Sequence, residues 1–169
     1  MTLPSNRLLN LAGFLVCAGL MGFALFAEYV LLLDPCPLCV FQRVAVILLG
    51  IVFLVAALHD PKGKARYVYG VLLGIIALGG MGVAGWHIRM QNLPPEEVPT
   101  CGPGLSYILE NNAFGDALAI VFTGSGSCAD VVWEFLGLSM PWWVLLWLLA
   151  LGAAGVFVNF RQPAAAAAR

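Results

Sequence analysis

Residues 36–58 read CPLCVFQRVAVILLGIVFLVAAL: two cysteines separated by two residues, one arginine, then an uncharged apolar run to Leu58. A helix rises about 1.5 Å per residue, so roughly 20 residues cross a ~30 Å hydrocarbon core. The stretch 40–58 meets that requirement. Working outward, so do 8–33, 67–86 and 140–160. The composition agrees, with 62% apolar residues, 10% charged residues and a mean hydropathy of +0.94. Soluble domains are about half apolar and a quarter charged. The chain therefore reads as one all-α integral membrane domain, a four-transmembrane-helix bundle. Its first apolar run is longer than a signal peptide's hydrophobic region, and no A-x-A site follows it, so it reads as a span. Glu28 stands near the outer end of that run, where a carboxylate can reach water or headgroups.

Lys and Arg set the orientation. With four crossings, Arg7, Lys62, Lys64, Arg66, Arg161 and Arg169 fall on one side and only Arg43 and Arg89 on the other. The positive-inside rule puts the first group, both termini included, in the cytoplasm. Loops 34–39 and 87–139 then face outward, the longer carrying six carboxylates and one arginine. The net charge of −1 and the absence of a basic run argue against a nucleic-acid partner.

Of five cysteines, Cys36, Cys39, Cys101 and Cys128 fall in the two outer loops. Disulfides persist in oxidising compartments such as the bacterial periplasm. Cys17 lies inside the first span, roughly 24 Å from its outer end at helical rise, and reads as a packing residue. Cys36 and Cys39 have the spacing of redox-active dithiols. Pro37 suits the first turn of a helix and pushes Cys36 toward an extended conformation. Cys39 then enters the first turn of the second span, where unpaired N–H groups and the helix dipole favour a thiolate. Arg43, one turn later, adds a positive charge on the same face. Zinc sites normally need a second close pair of ligands. Cys101 and Cys128 are far apart in sequence and the outer His87 stands alone, so no metal is expected. Haem attachment needs a histidine after the second cysteine, and Val40 is there.

A bridge between Cys101 and Cys128 would contribute roughly 3 to 4 kcal/mol by chain entropy. The proline and glycine around Cys101, and Gly124–Ser127 before Cys128, suggest instead an accessible, adaptable loop whose disulfide a foreign thiolate can attack. Leu105, Ile108, Leu109, Leu118, Val121 and Phe122 recur at roughly helical spacing, as do Val131, Val132, Phe135 and Leu136. Such stretches can form an amphipathic interfacial helix that holds the periplasmic loop on the bilayer. Trp142 and Trp143 suit the aromatic belt. Gly74, Gly79, Gly80, Gly82 and Gly85 suggest close helix packing.

Three stretches together resemble the DsbB family of bacterial disulfide bond formation proteins. They are Pro35–Arg43, His87–Gln91 with Pro94-Pro95, and Phe135–Pro141. The likeness extends to span count, topology and cysteine order. It implies a quinone-dependent thiol oxidase of the bacterial inner membrane that reoxidises a soluble DsbA-like dithiol protein. By match of position, Cys101 forms the mixed disulfide with that partner and Cys128 exchanges with Cys36. Cys39 is left to react with the quinone, ubiquinone or menaquinone, beside Arg43. His87, Gln91 and Met140 match positions at or near the quinone pocket. Gln42 stands where some relatives have Glu. The resting disulfide pattern stays open, since four cysteines allow three pairings.

Redox energetics fit a quinone acceptor. DsbA's known potential is about −120 mV, against roughly −180 to −270 mV for ordinary dithiol carriers, so passing two electrons to those is uphill by roughly 3 to 7 kcal/mol. Two other readings are compatible with the spans and cysteines. One is another membrane thiol enzyme, such as a vitamin K epoxide reductase-like protein or a transporter passing electrons inward, and quinone dependence would discriminate it. The other is a scaffold merely braced by disulfides, in which Cys39 is inert.

Overall fold

A computed structural model of the chain describes residues 5–61, 63–94, 96 and 128–161. Four helices, α1 (Asn6–Tyr29), α2 (Pro37–His59), α3 (Ala65–Gln91) and α4 (Met140–Phe160), are each long and apolar enough to cross a membrane. A two-stranded hairpin, β1 (Glu134–Phe135) and β2 (Leu138–Ser139), leads into α4. The four helices form the bundle that composition and apolar runs anticipate.

Local chemistry explains the boundaries. Ser5 caps α1 by accepting a hydrogen bond from the Leu8 N–H at 3.4 Å. Cys36 caps α2 in an extended conformation with Pro37 in the first turn, so a helix starts where the chain has no amide proton to lose. Asp60 ends α2 in the left-handed region at φ 43°. Two ends depart from the apolar runs. α1 stops at Tyr29, and Leu32 takes φ 54°, so the last apolar residues of that run belong to the connection. α3 continues to Gln91, which puts His87 and Gln91 on a helix rather than in the loop beyond it. Hydropathy marks where lipid ends, whereas a helix ends where its backbone loses partners.

The core lies between helices. α3 packs most extensively on α4, and α1 and α3 both pack on α2. Phe53 of α2 is buried, with Gly13 of α1 and Gly155 of α4 against its ring. A Cβ at either glycine would come within 3.0 Å of that ring. Cys17 belongs to the same cluster. Outward-facing Leu15, Leu78, Ile75 and Phe157 are exposed, as lipid-facing side chains are.

The glycine expectation for α3 holds only in part. Gly80 lies against Ala45 and Leu148, and Gly74 against Val156, but Gly79, Gly82 and Gly85 have nothing within 4 Å of a built Cβ among the described residues. The reason is phase. At about 100° per residue, Leu73, Ala77, Gly80 and Ala84 share one stripe, and Gly82 lies opposite.

At the end opposite the cysteines, buried Asn10 and Asn159 exchange side-chain hydrogen bonds at 3.4 and 3.1 Å. Arg161 donates to the Asn6 side chain at 2.9 Å. In lipid, apolar contact gives little drive for helices to associate, so such polar pairs help to pin α1 to α4.

At the cysteine end, residues 131–139 correct the helical reading of Val131–Leu136. They form an extended segment and a hairpin whose two loop residues, Leu136 (φ 53°) and Gly137 (φ 77°), are both left-handed. That is the twist a two-residue hairpin needs, and glycine at the second position adopts it without strain. Leu105–Phe122 lie outside the described residues.

Candidate active site

Among the described residues, Cys36, Cys39, Gln42, Arg43, His87 and Cys128 gather where α2 and α4 begin and α1 and α3 end. As the cap of α2, Cys36 accepts a hydrogen bond from the Cys39 N–H at 3.3 Å. This brings the two sulfurs to 2.9 Å, in contact as thiols. Cys128, fully buried, packs against Cys36, Leu38 and Met90, and its side chain hydrogen-bonds that of Cys36. Three cysteines from two distant parts of the chain therefore meet. Cys101 lies outside the described residues.

Cys36 is the proton holder of this group. Hydrogen bonds to the Cys128 and Cys39 side chains, and then burial, hold its thiol far above the ordinary cysteine range. A proton kept on Cys36 leaves Cys39 as the acceptor in their contact.

His87 is the neighbour that the linear sequence leaves alone. The continuation of α3 carries it under the cysteine pair, with Nε2 3.7 Å from Cys36 Sγ. The ring also hydrogen-bonds the Cys128 backbone. On its other side, Gln42 Nε2 donates to Nδ1 at 3.0 Å. That contact leaves the imidazole proton on Nε2, facing Cys36. Gln42 and His87 are both buried. The sequence marks Gln42 only as standing where some relatives have Glu, with nothing to pair it with a residue 45 positions away.

Arg43 lies one turn beyond Cys39 on α2. It is ion-paired with Glu28 of α1 and donates to the Ala24 carbonyl at 3.3 Å. Sequence reading places Arg43 near Cys39 but misses its partner, although a lone carboxylate in an apolar span is itself a signal that a cation is near.

Cys39, Gln42, Arg43 and Met140 line one side of a cavity of about 310 Å³. Ala24, Ala27 and Met21 of α1 line another, and Trp133, Phe135 and Trp143 form an aromatic wall. Trp133 stacks on Phe135 at 6.0 Å between ring centroids, and Trp143 donates from its indole to the Phe135 carbonyl at 3.2 Å. Trp143 thus serves this wall as well as any interfacial belt. The lining is almost wholly apolar, and its polar members are Asp34, Cys39, Gln42 and Arg43. Of the three residues matched to a quinone pocket, Met140 lines the cavity, and His87 lies behind Cys36. Gln91 accepts a hydrogen bond from the Ser139 hydroxyl at 2.6 Å, next to Met140.

The family model described as Disulfide bond formation protein DsbB matches residues 6–158. The disulfide bond formation protein B of Methylococcus capsulatus is 50% identical over 153 residues, 90% of this chain and 93% of that protein. The protein of the same name from Hahella chejuensis is 46% identical over 159 residues, 94% and 96% of the two chains. That of Nitrosococcus oceani is 45% identical over 153 residues, 90% of each. The chain belongs to the DsbB family.

Proposed function

We propose that this DsbB-family chain is a thiol:quinone oxidoreductase of the bacterial inner membrane, which reoxidises a periplasmic DsbA-like dithiol protein and so sustains disulfide formation. The observation that carries this reading is the apolar cavity that Cys39 and Arg43 both line. Its volume suits a small-molecule site. Flat aromatic walls, aliphatic surroundings and one guanidinium donor fit a quinone ring and its carbonyl oxygens. A quinone there supplies a two-electron, two-proton acceptor. The excess of Lys and Arg around the other end of the bundle supports a periplasmic cysteine end and cytoplasmic termini.

The thiol steps follow the cysteine order of the DsbB family. A thiolate of the reduced partner attacks Cys101 of a Cys101–Cys128 disulfide, forming a mixed disulfide and freeing the Cys128 thiolate. Cys128 attacks Cys36 of a Cys36–Cys39 disulfide, making a Cys36–Cys128 bond and freeing Cys39. The contact between the Cys36 and Cys128 side chains supports that exchange. The partner's second thiol displaces Cys101 and leaves oxidised. Cys101 then retakes Cys128, and Cys36 retakes Cys39 as the electron pair passes from Cys39 into the cavity. Two thiols become one disulfide, and two electrons and two protons go to the acceptor. Arg43 stabilises negative charge at Cys39, and Glu28 orients Arg43.

The test is quinone reduction by the purified full chain in detergent, with reduced DsbA as donor and quinone absorbance as readout. Steady turnover that vanishes in Cys39→Ser, with Cys101→Ser blocking the donor, is the expected result. Full turnover in Cys39→Ser, or no turnover in the wild type, would overturn the assignment.

A further inference from the structure

We propose that the reduced chain holds a thiophilic divalent cation, zinc by preference, between Cys36 Sγ, Cys39 Sγ and His87 Nε2. The two sulfurs and an imidazole nitrogen lie within 4.8 Å of one another. Around a tetrahedral zinc, Zn–S bonds near 2.3 Å and Zn–N bonds near 2.0 Å hold ligand atoms roughly 3.5 to 3.8 Å apart. The separation of Cys36 Sγ from His87 Nε2, 3.7 Å, already has that value. The sulfurs, at 2.9 Å, need to part by roughly 1 Å, and Cys39, the less buried of the two, can turn to allow it.

The surroundings also suit a metal. A histidine ligand needs its second nitrogen held, and Gln42 holds Nδ1 at 3.0 Å. With the cation on Nε2 the ring proton moves to Nδ1, and a half-turn of the Gln42 amide presents its oxygen to that proton. Two thiolates neutralise a divalent cation, so the buried centre carries no net charge. Arg43, one turn beyond Cys39, is ion-paired with Glu28, which offsets its charge.

Binding displaces two thiol protons to solvent and transfers no electrons. A bound cation uses both thiols of the pair, so the Cys36–Cys39 disulfide cannot re-form while it is held. The metal site itself rests on the geometry alone. The consequence, arrest of thiol oxidation with the chain in its reduced state, rests on the proposed function.

The experiment uses the reduced full chain in detergent and Co(II) as probe, read by the visible bands of tetrahedral, thiolate-bound cobalt. One equivalent should bind, and Zn(II) should bleach the bands. Prior oxidation, Cys36→Ser or Cys39→Ser should abolish them, whereas Cys17→Ser should leave them intact. His87→Ala and Gln42→Ala should each weaken cobalt binding about 10- to 100-fold, and Gln42→Glu should restore it. A reduced wild type without tetrahedral bands, or bands of unchanged affinity in His87→Ala, would overturn the site. Metal-free quinone turnover, measured on the same preparation, tests the proposed function separately. Turnover without cobalt bands sinks the metal site alone, and cobalt bands without turnover sink the oxidoreductase alone.

Discussion

Gln42 and His87 meet at 3.0 Å across α2 and α3, and through that contact Gln42 determines which imidazole nitrogen faces the sulfur of Cys36. Neither side chain is exposed. The pair links the first turns of the helix that carries the dithiol to the last turns of the helix that closes over it.

Removing the amide should misorient the ring without removing it. Gln42→Ala should slow quinone-coupled turnover about fivefold, the equivalent of one hydrogen bond of about 1 kcal/mol. Gln42→Glu, whose carboxylate can only accept and so draws the ring proton to Nδ1, should not recover the rate. Single-turnover reoxidation of the reduced chain by quinone would measure this, and equal rates in Gln42→Ala and wild type would show that the position of the His87 ring does not affect the reaction.

Among the described residues that line the cavity, Arg43 provides the only positive charge. Arg43→Met should lower kcat/KM for quinone about 100-fold, the scale of losing one donor that stabilises developing charge. Glu28→Gln, which leaves the guanidinium in place but loosens it, should cost far less. Steady-state kinetics at varied quinone distinguish the two. A Glu28→Gln defect as large as that of Arg43→Met would mean that the pair matters as structure rather than as charge.

At the other end of the bundle, Asn159→Ala should strand the buried Asn10 amide. A penalty of about 1 to 2 kcal/mol is expected, since polar pairs between membrane helices are modest. Unfolding in mixed micelles at increasing denaturing detergent reads it out, and quinone turnover of the folded fraction should be unchanged. An unshifted midpoint would show that the Asn10–Asn159 pair does not help to hold α1.

Gly152 of α4 faces Ala77 of α3 so closely that a Cβ at 152 would stand 2.5 Å from the Ala77 Cβ. Both atoms are fixed to backbone, so Gly152→Ala must spread the helices, at roughly 1 to 3 kcal/mol. Ala77→Gly in the same chain should rescue it, whereas Gly82→Ala, on the open side of α3, should be tolerated. A double variant no better than Gly152→Ala would put the strain elsewhere.

Legibility differs between the parts of the molecule. The four spans could be read because lipid demands about 20 apolar residues in a row, and few other sequences look like that. The cap geometry of Cys36, Pro37 and Cys39 could be read because it depends on neighbours within one turn. Residues 131–136 misled because apolar spacing alone does not separate a short helix from an extended segment. The positive φ of Leu136 and Gly137 settles the matter for the hairpin. The glycines of α3 misled because a run of small residues shows that close approach is allowed, not which side it occurs on.

By itself, then, the sequence determined the solvent, the number of crossings and the dithiol at a helix start, all matters of local composition and backbone geometry. Only the tertiary structure decided that His87 lies beneath Cys36 with Gln42 behind it, that Glu28 holds Arg43, and that Cys128 closes on the pair. Those contacts join residues on different helices, and their distances follow from how the helices rotate and pack, which no spacing within a single helix encodes.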